Sequence, residues 1–169
     1  MALVSLPFEA RAQVSAAKPI QFGIAAGAAL PTSELSDAAN TGWNVSGTLG
    51  FNPAMIPLGV RIDGAYNRFG LKGGFDGDVH FTSVTGNLVY KLPAVSVSPY
   101  VIGGAGWYNG ALSLTGVGSD SDNHFGWNAG AGISMPLSGF STFIEARYNQ
   151  VQVEDGSLKF IPVTFGIMF

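Results

Sequence analysis

Few residues in this chain could carry out chemistry. Its two histidines are His80 and His124. Ser119, Ser121 and Asp122 lie close to His124, which are the residue types of a nucleophile, base and acid. Nucleophilic catalysis needs the base held in place by a third group. Here all of them fall in one Gly/Ser/Asp segment, which reads as a solvated loop, so no catalytic residue is assigned. Asp120-x-Asp122-x-His124 begins like a calcium loop, but an EF-hand requires Glu at the twelfth position. Counting from Asp120 reaches Ala131. Asp120 and Asp122 are left as candidate cation contacts, with no metal site assigned. Gly103-Gly104-Ala105-Gly106 is not a dinucleotide fingerprint, because no helix follows it. No cofactor is expected.

The other concentration of charge is acidic. Glu34, Asp37, Asp76, Asp78, Asp120, Asp122, Glu154 and Asp155 gather between apolar stretches, where Lys72 is the only basic residue. A solvated surface accounts for them. The functional reading is a rim that binds divalent cations and bridges to an anionic lipid surface.

The elements that would hold these residues are strands in a membrane. Charged residues make up 11% of the 169 residues, against roughly 25% in soluble domains. A soluble protein could hardly cover its surface with so few. No run of about 18 apolar residues provides a spanning helix. A chain that is apolar on average but lacks such a helix can span a bilayer as a closed barrel, with every backbone group paired between strands. Cysteine is absent, which excludes disulfides and thiolate metal sites. A net charge of −3 argues against nucleic acid as a partner. Ala10-Arg11-Ala12 before Gln13 fits a secretory cleavage site. Residues 1–12 are therefore read as the remnant of a truncated signal peptide, and residues 13–169 as a single barrel domain.

Period-two alternation predicts eight strands. They are residues 20–30, 42–51, 58–69, 80–92, 97–109, 125–135, 140–149 and 159–169. Connections 52–57, 93–96 and 136–139 are short. Connections 31–41, 70–79, 110–124 and 150–158 are longer. Short periplasmic turns alternating with longer outer loops characterise bacterial barrels, and an even strand count then puts both termini in the periplasm. The expected fold is all-β: an eight-stranded antiparallel up-and-down transmembrane β-barrel.

Aromatic spacing assigns the faces. Trp43 and Phe51, Tyr100 and Tyr108, and Phe140 and Tyr148 are pairs eight residues apart. Eight residues span roughly 26 Å of strand. With a tilt of about 40° that becomes about 20 Å of height, close to an apolar band of about 25 Å bounded by aromatic girdles. These six, with Tyr66, Tyr90 and Trp127, form the predicted girdle. Arg61, Asp63, Lys91, Glu145 and Arg147 each lie opposite their strand's apolar set, so they are expected in the lumen. Strands three and seven face each other in a ring of eight. That predicts a charged cluster of Arg61, Asp63, Glu145 and Arg147 across the interior, with Lys91 nearer the periplasmic mouth.

The segment from Phe160 to Phe169, with Phe165, Ile167 and Phe169 alternating to a terminal Phe, resembles the C-terminal assembly signal of outer-membrane barrels. Ser98 to Gly106 and Phe143 to Tyr148 are similar to strands of the OmpA/OmpX-like superfamily. The resemblance implies a barrel-only member, with no peptidoglycan-binding domain expected after it. It also implies outer-membrane lipids and lipopolysaccharide as surroundings, and the outer-membrane insertion machinery as a partner during assembly. The expected function is that of a structural or surface-exposed membrane barrel with a side-chain-filled lumen and no enzymatic activity. It would be monomeric or one component of a larger envelope assembly, and its acidic loops would contact lipopolysaccharide or divalent cations. Two alternatives are a soluble lipocalin-like ligand-binding barrel, with its apolar face inward, and an outer-membrane enzyme acting on lipid A.

Overall fold

The computed structural model describes residues 19–53, 56–73, 77–93, 96–114 and 118–169. Residues 1–12, read above as a signal remnant, lie outside them. Eight strands follow in order: β1 (Ile20–Thr32), β2 (Gly42–Phe51), β3 (Leu58–Gly70), β4 (Gly77–Lys91), β5 (Ser98–Leu114), β6 (Gly118–Pro136), β7 (Ser141–Val153) and β8 (Gly156–Met168). One short helix, α1 (Glu34–Ala38), interrupts the β1–β2 connection. Each strand pairs antiparallel with its neighbours in sequence, and β8 pairs with β1 to close the barrel. Beyond the last strand residue, the Phe169 N–H donates to the Phe22 carbonyl at 2.7 Å, and the Phe22 N–H donates to the Phe169 carbonyl at 3.2 Å. The end of the chain thus completes the seam. Closure leaves no strand edge around the wall, the condition for backbone in an apolar medium.

The strand centres fall where alternation predicts, and the loop-side ends of every strand but β2 extend further. β5 and β6 run 17 and 19 residues. Most of the expected loop 110–124 is therefore paired hairpin, from Gly110↔Asp122 to Leu114↔Gly118. Gly/Ser/Asp composition suggested a loop, but cross-strand pairing overrides such weak local preference. The β6–β7 ladder stops at Gly126↔Val151, so Gly118–Phe125 rises beyond its β7 neighbour. Likewise, the expected loop 150–158 contracts to the turn between Val153 and Gly156.

The exterior is apolar. Phe22, Ile24, Val45, Ile62, Val84, Leu88, Trp107 and Phe165 are among many large apolar side chains left exposed. Buried positions include Asn44, Thr48, Asp63, Asn67, Asn87, Asn128 and Glu145. The polar phase therefore points inward, the reverse of a lipocalin-like barrel.

Glycine adjusts the wall to its contents. A Cβ on Gly132 would run into the Tyr100 ring, one on Gly126 into the Tyr108 ring and one on Gly166 into the Phe143 ring. Tyr100 and Phe143 stand directly across the ladder from Gly132 and Gly166. Inward rings lie over inward glycines because a narrow lumen has no other room for them. Gly106 is equally tight, meeting the Val84 carbonyl and Thr85 backbone, whereas outward Gly86 meets nothing within 4 Å. Gly106→Val should therefore lower the yield of folded barrel severalfold, while Gly86→Val leaves it unchanged. The heat-modifiable gel mobility of the refolded protein checks this.

Candidate functional site in the barrel lumen

β3 and β7 lie four strands apart in the closed ring of eight, hence on opposite walls. Alternation turns Arg61 and Asp63 of β3 inward, and Glu145 and Arg147 of β7 likewise. The interior is narrow enough for the side chains to meet. Arg61 contacts Asp63 on its own strand at 2.9 Å (Nε–Oδ1) and Glu145 across the lumen at 3.0 Å (Nη1–Oε2). Arg147 contacts Glu145 on its own strand through Nε and Nη2, and Asp63 across the lumen at 3.0 Å (Nη1–Oδ2). Each guanidinium therefore holds one carboxylate of its own strand and one of the facing strand. The four form a closed ring of alternating sign with no net charge.

Neighbours saturate the ring. Tyr100 donates its hydroxyl to Glu145 Oε2 at 2.8 Å. Asn87 Nδ2 donates to Asp63 Oδ2 at 2.8 Å, and the Thr48 hydroxyl donates to Asp63 Oδ1. The Arg61 guanidinium also lies 5.8 Å from the centre of the Phe143 ring. Asp63 and Glu145 keep 3% and 4% exposure. At that depth a charge survives only with good pairing and further hydrogen bonds on its free lone pairs.

Lys91 faces inward but stands apart. It shares a small cavity with Gln21, Asn52, Arg61 and Ser141 at the end of the barrel where β1 starts and β8 ends. Among the described residues it makes no ion pair.

Two apolar layers enclose the ring. Towards the loop end, Phe69, Phe81 and Phe160 pack together with ring centres 5.5–6.2 Å apart. Leu35 of α1, Ala39 and Val151 join them in one buried cluster. Towards the other end, Val89, Ile102, Phe143 and Met168 form a second cluster with Tyr100. Between the ring and the upper layer lies a polar band, in which Asn44 Nδ2 donates to Asn67 Oδ1 at 2.6 Å and the Tyr108 hydroxyl donates to Asn149 Oδ1 at 2.9 Å.

Tyr100 and Tyr108 correct the predicted girdle. They are 4% and 0% exposed and point into the lumen. A spacing of eight fixes only that two residues share a face, not which face. On β5 both phases carry apolar residues, and the glycines across the ladder make the inward phase roomy. Trp107, 68% exposed, is the outward aromatic there. The other assigned aromatics keep the outward phase. Trp43 with Tyr66 and Trp127 with Tyr148 pair at 5.3 and 5.6 Å near the loop end. Phe51, Tyr90, Phe140 and Phe169 are exposed at the opposite end, Phe140 against Phe169 at 6.3 Å. Phe165 and Ile167 face outward above Phe169. The aromatic plug was not foreseen; its signal was the presence of Phe69, Phe81 and Phe160 on the polar phase of their strands.

The acidic residues do not converge. Asp122 is exposed on β6, the Asp120 side chain lies outside the described residues, and among those described no three His, Asp or Glu side chains could hold a metal together. Asp78 pairs with Arg68 at 2.9 Å. His80 stacks on Tyr66, with ring centres 5.6 Å apart, and contacts Asp78 at 3.4 Å.

Comparison with known proteins gives the same architecture. The family model described as outer membrane protein beta-barrel domain matches residues 1–169. Neisserial surface protein A aligns with a TM-score of 0.73 at 17% identity, over 89% of this chain and 96% of that one. Ail, the attachment invasion locus protein of Yersinia pestis, aligns with a TM-score of 0.54 at 26% identity, over 88% and 98%. The N-terminal β-barrel domain of Pseudomonas aeruginosa OprF aligns with a TM-score of 0.53 at 16% identity, over 88% and 97%. No curated protein matches the chain by sequence.

The charged ring makes a quantitative expectation. Glu145→Ala leaves two guanidinium groups short of a buried partner and should cost about 3–5 kcal/mol. Glu154→Ala, at an exposed turn, should cost less than about 0.5 kcal/mol. Glu145→Ala combined with Arg147→Ala should cost less than the two single changes summed, because the double change restores neutrality. Urea unfolding of the barrel in detergent micelles measures all four.

Proposed function

The chain belongs to the outer-membrane β-barrel protein family, and on that premise we propose that it serves as a structural, surface-exposed barrel that neither conducts nor catalyses. The observation that carries this reading is the filled interior. The ring of Arg61, Asp63, Glu145 and Arg147 spans the lumen, the Phe69–Phe81–Phe160 plug covers one side of it and the Val89–Ile102–Phe143–Met168 layer covers the other. Eight strands enclose an interior that side chains can fill, whereas porins with an aqueous channel have 16 or more.

In this reading residues 13–169 are the mature barrel, and both termini face the periplasm. The hairpin of β5 and β6 then projects from the cell surface, carrying exposed Asp122. Of the two histidines, His80 is engaged with Tyr66 and Asp78 on the outer wall, which supports the non-catalytic reading. The surroundings of the barrel are outer-membrane lipid, and the molecule acts as a monomer or as one component of a larger envelope assembly.

Two measurements test this reading. Wild-type protein in a planar bilayer should show no stable channel; steady unitary currents would refute the closed lumen. Phe169 sits at the seam and ends the outward row of Phe165 and Ile167, the pattern attributed above to an assembly signal. Deleting Phe169 should leave the protein in the periplasm or degraded, and a normal outer-membrane yield would remove that role.

A further inference from the structure

Lys91 is an inward charge that the ring leaves out. It ends β4, where its backbone N–H donates to the Pro57 carbonyl at 2.8 Å. Alternation turns its half-buried side chain into the barrel mouth where β1 starts and β8 ends. The charged residue that faces it there is Arg61, of the same sign. Arg61 is already balanced by Asp63 and Glu145. Both carboxylates are shared with Arg147, so neither is left for Lys91. Among the described residues, the mouth therefore carries an uncompensated positive charge.

The polar groups around Lys91 are mostly donors. Ser134 of β6 and Ser141 of β7 line the same cavity, with Gln21 of β1 and Asn52 just past β2. Asn52 Nδ2 donates to Gln21 Oε1 at 2.8 Å. That bond occupies the oxygen of the Gln21 amide and leaves its N–H groups for another partner. Asn52 Oδ1 lies over inward Gly59, where a Cβ would strike it. Among the described residues, no side-chain hydrogen bond engages Lys91 Nζ, Gln21 Nε2 or the hydroxyls of Ser134 and Ser141. The floor behind them is apolar, made by buried Val89, Phe143 and Met168. Polar groups against such a floor cost free energy unless they are bonded, and a charge costs more.

Size narrows the choice of partner. The cavity measures ≈ 30 Å³. One water-sized atom takes about 10–15 Å³, so the space admits about two oxygens and not a whole phosphate. A carboxylate fits on both counts, because its oxygens only accept hydrogen bonds.

We propose that the mouth beside Lys91 is a binding site for a carboxylate. Lys91 supplies the charge, and Ser134, Ser141 and the Gln21 amide supply hydrogen bonds. Bonds to a charged acceptor are about twice as strong as neutral ones. The rest of the ligand stays outside the cavity, so the site grips the end of a molecule, a small organic acid or the C-terminus of a peptide. That this end faces the periplasm rests on the outer-membrane reading above; the site itself does not.

Amide NMR of the refolded barrel in uncharged maltoside micelles tests it. The probes are acetate, its neutral counterpart acetamide, acetylglycylglycine as a peptide end, and inorganic phosphate. Acetate should shift the Lys91, Ser134 and Ser141 amides along a saturable curve, and acetamide should not. Lys91→Met should weaken the acetate response at least about tenfold, the loss of one hydrogen bond to a charged group. Ser141→Ala, a milder change, should weaken it about threefold. Lys159→Met, at the loop end of β8, should leave it unchanged. Tighter binding of the peptide end identifies a chain terminus as the ligand, and equal or weaker binding a small acid; both uphold the carboxylate site. A linear response to acetate, an equal response to acetamide, a stronger one to phosphate, or full binding by the Lys91 and Ser141 variants overturns it. Heat-modifiable mobility of the same samples separates site from fold. A folded barrel without the response defeats the site alone; failure of the wild type to form a barrel in detergent defeats the membrane reading and the site with it.

Discussion

The interior depends on one arrangement, the ring in which Arg61 and Arg147 each bridge Asp63 and Glu145. Taking one charge out of water costs several kcal/mol, and an isolated pair seldom recovers that cost. Here each charge has an opposite partner on its own strand and another on the facing strand. Tyr100, Asn87 and Thr48 take up further lone pairs. The cross-lumen bonds form only when β3 and β7 stand at one relative height. Sliding either strand by two residues would keep its phase and lose its partner. The ring therefore selects one stagger of the barrel from several that the hydrophobic alternation alone would accept.

The layers around the ring follow from the need to keep those bonds dry and close. Inward aromatics fill the lumen above and below it, and the wall yields to them through glycines at Gly126, Gly132 and Gly166. Ring over glycine brings facing walls together without overpacking, which would otherwise cost about 1–3 kcal/mol per position. Tyr100 belongs to both systems. Its ring lies in the lower apolar layer, and its hydroxyl reaches the ring of charges.

The outer wall obeys a different rule. There the solvent is hydrocarbon, charge is excluded and shape is otherwise free, so a small residue needs no packing partner to be tolerated. Glycine inside the barrel is demanded by neighbouring atoms. At Gly47 and Gly64 it is not, and the same residue type has opposite physical meaning on the two faces.

The strand order, the outward phase of seven strands and the inward placement of Arg61, Asp63, Glu145 and Arg147 were legible in the sequence. Each is a consequence of period-two alternation in a chain with few charges and no spanning helix. Strand β5 was not legible in that way. Its two phases are both apolar, so Tyr100 and Tyr108 could be given a common face but not the correct one; two β6 glycines decided it, Gly132 directly across from Tyr100 and Gly126 against the Tyr108 ring. The length of the β5–β6 hairpin was hidden for a similar reason, because Gly, Ser and Asp read as loop until a partner strand pairs with them. The aromatic plug and the cavity beside Lys91 each combine residues from three or more strands. Alternation is a property of one strand and fixes which side a residue faces. Register between strands fixes which residues share a level, and that is set only when the barrel closes.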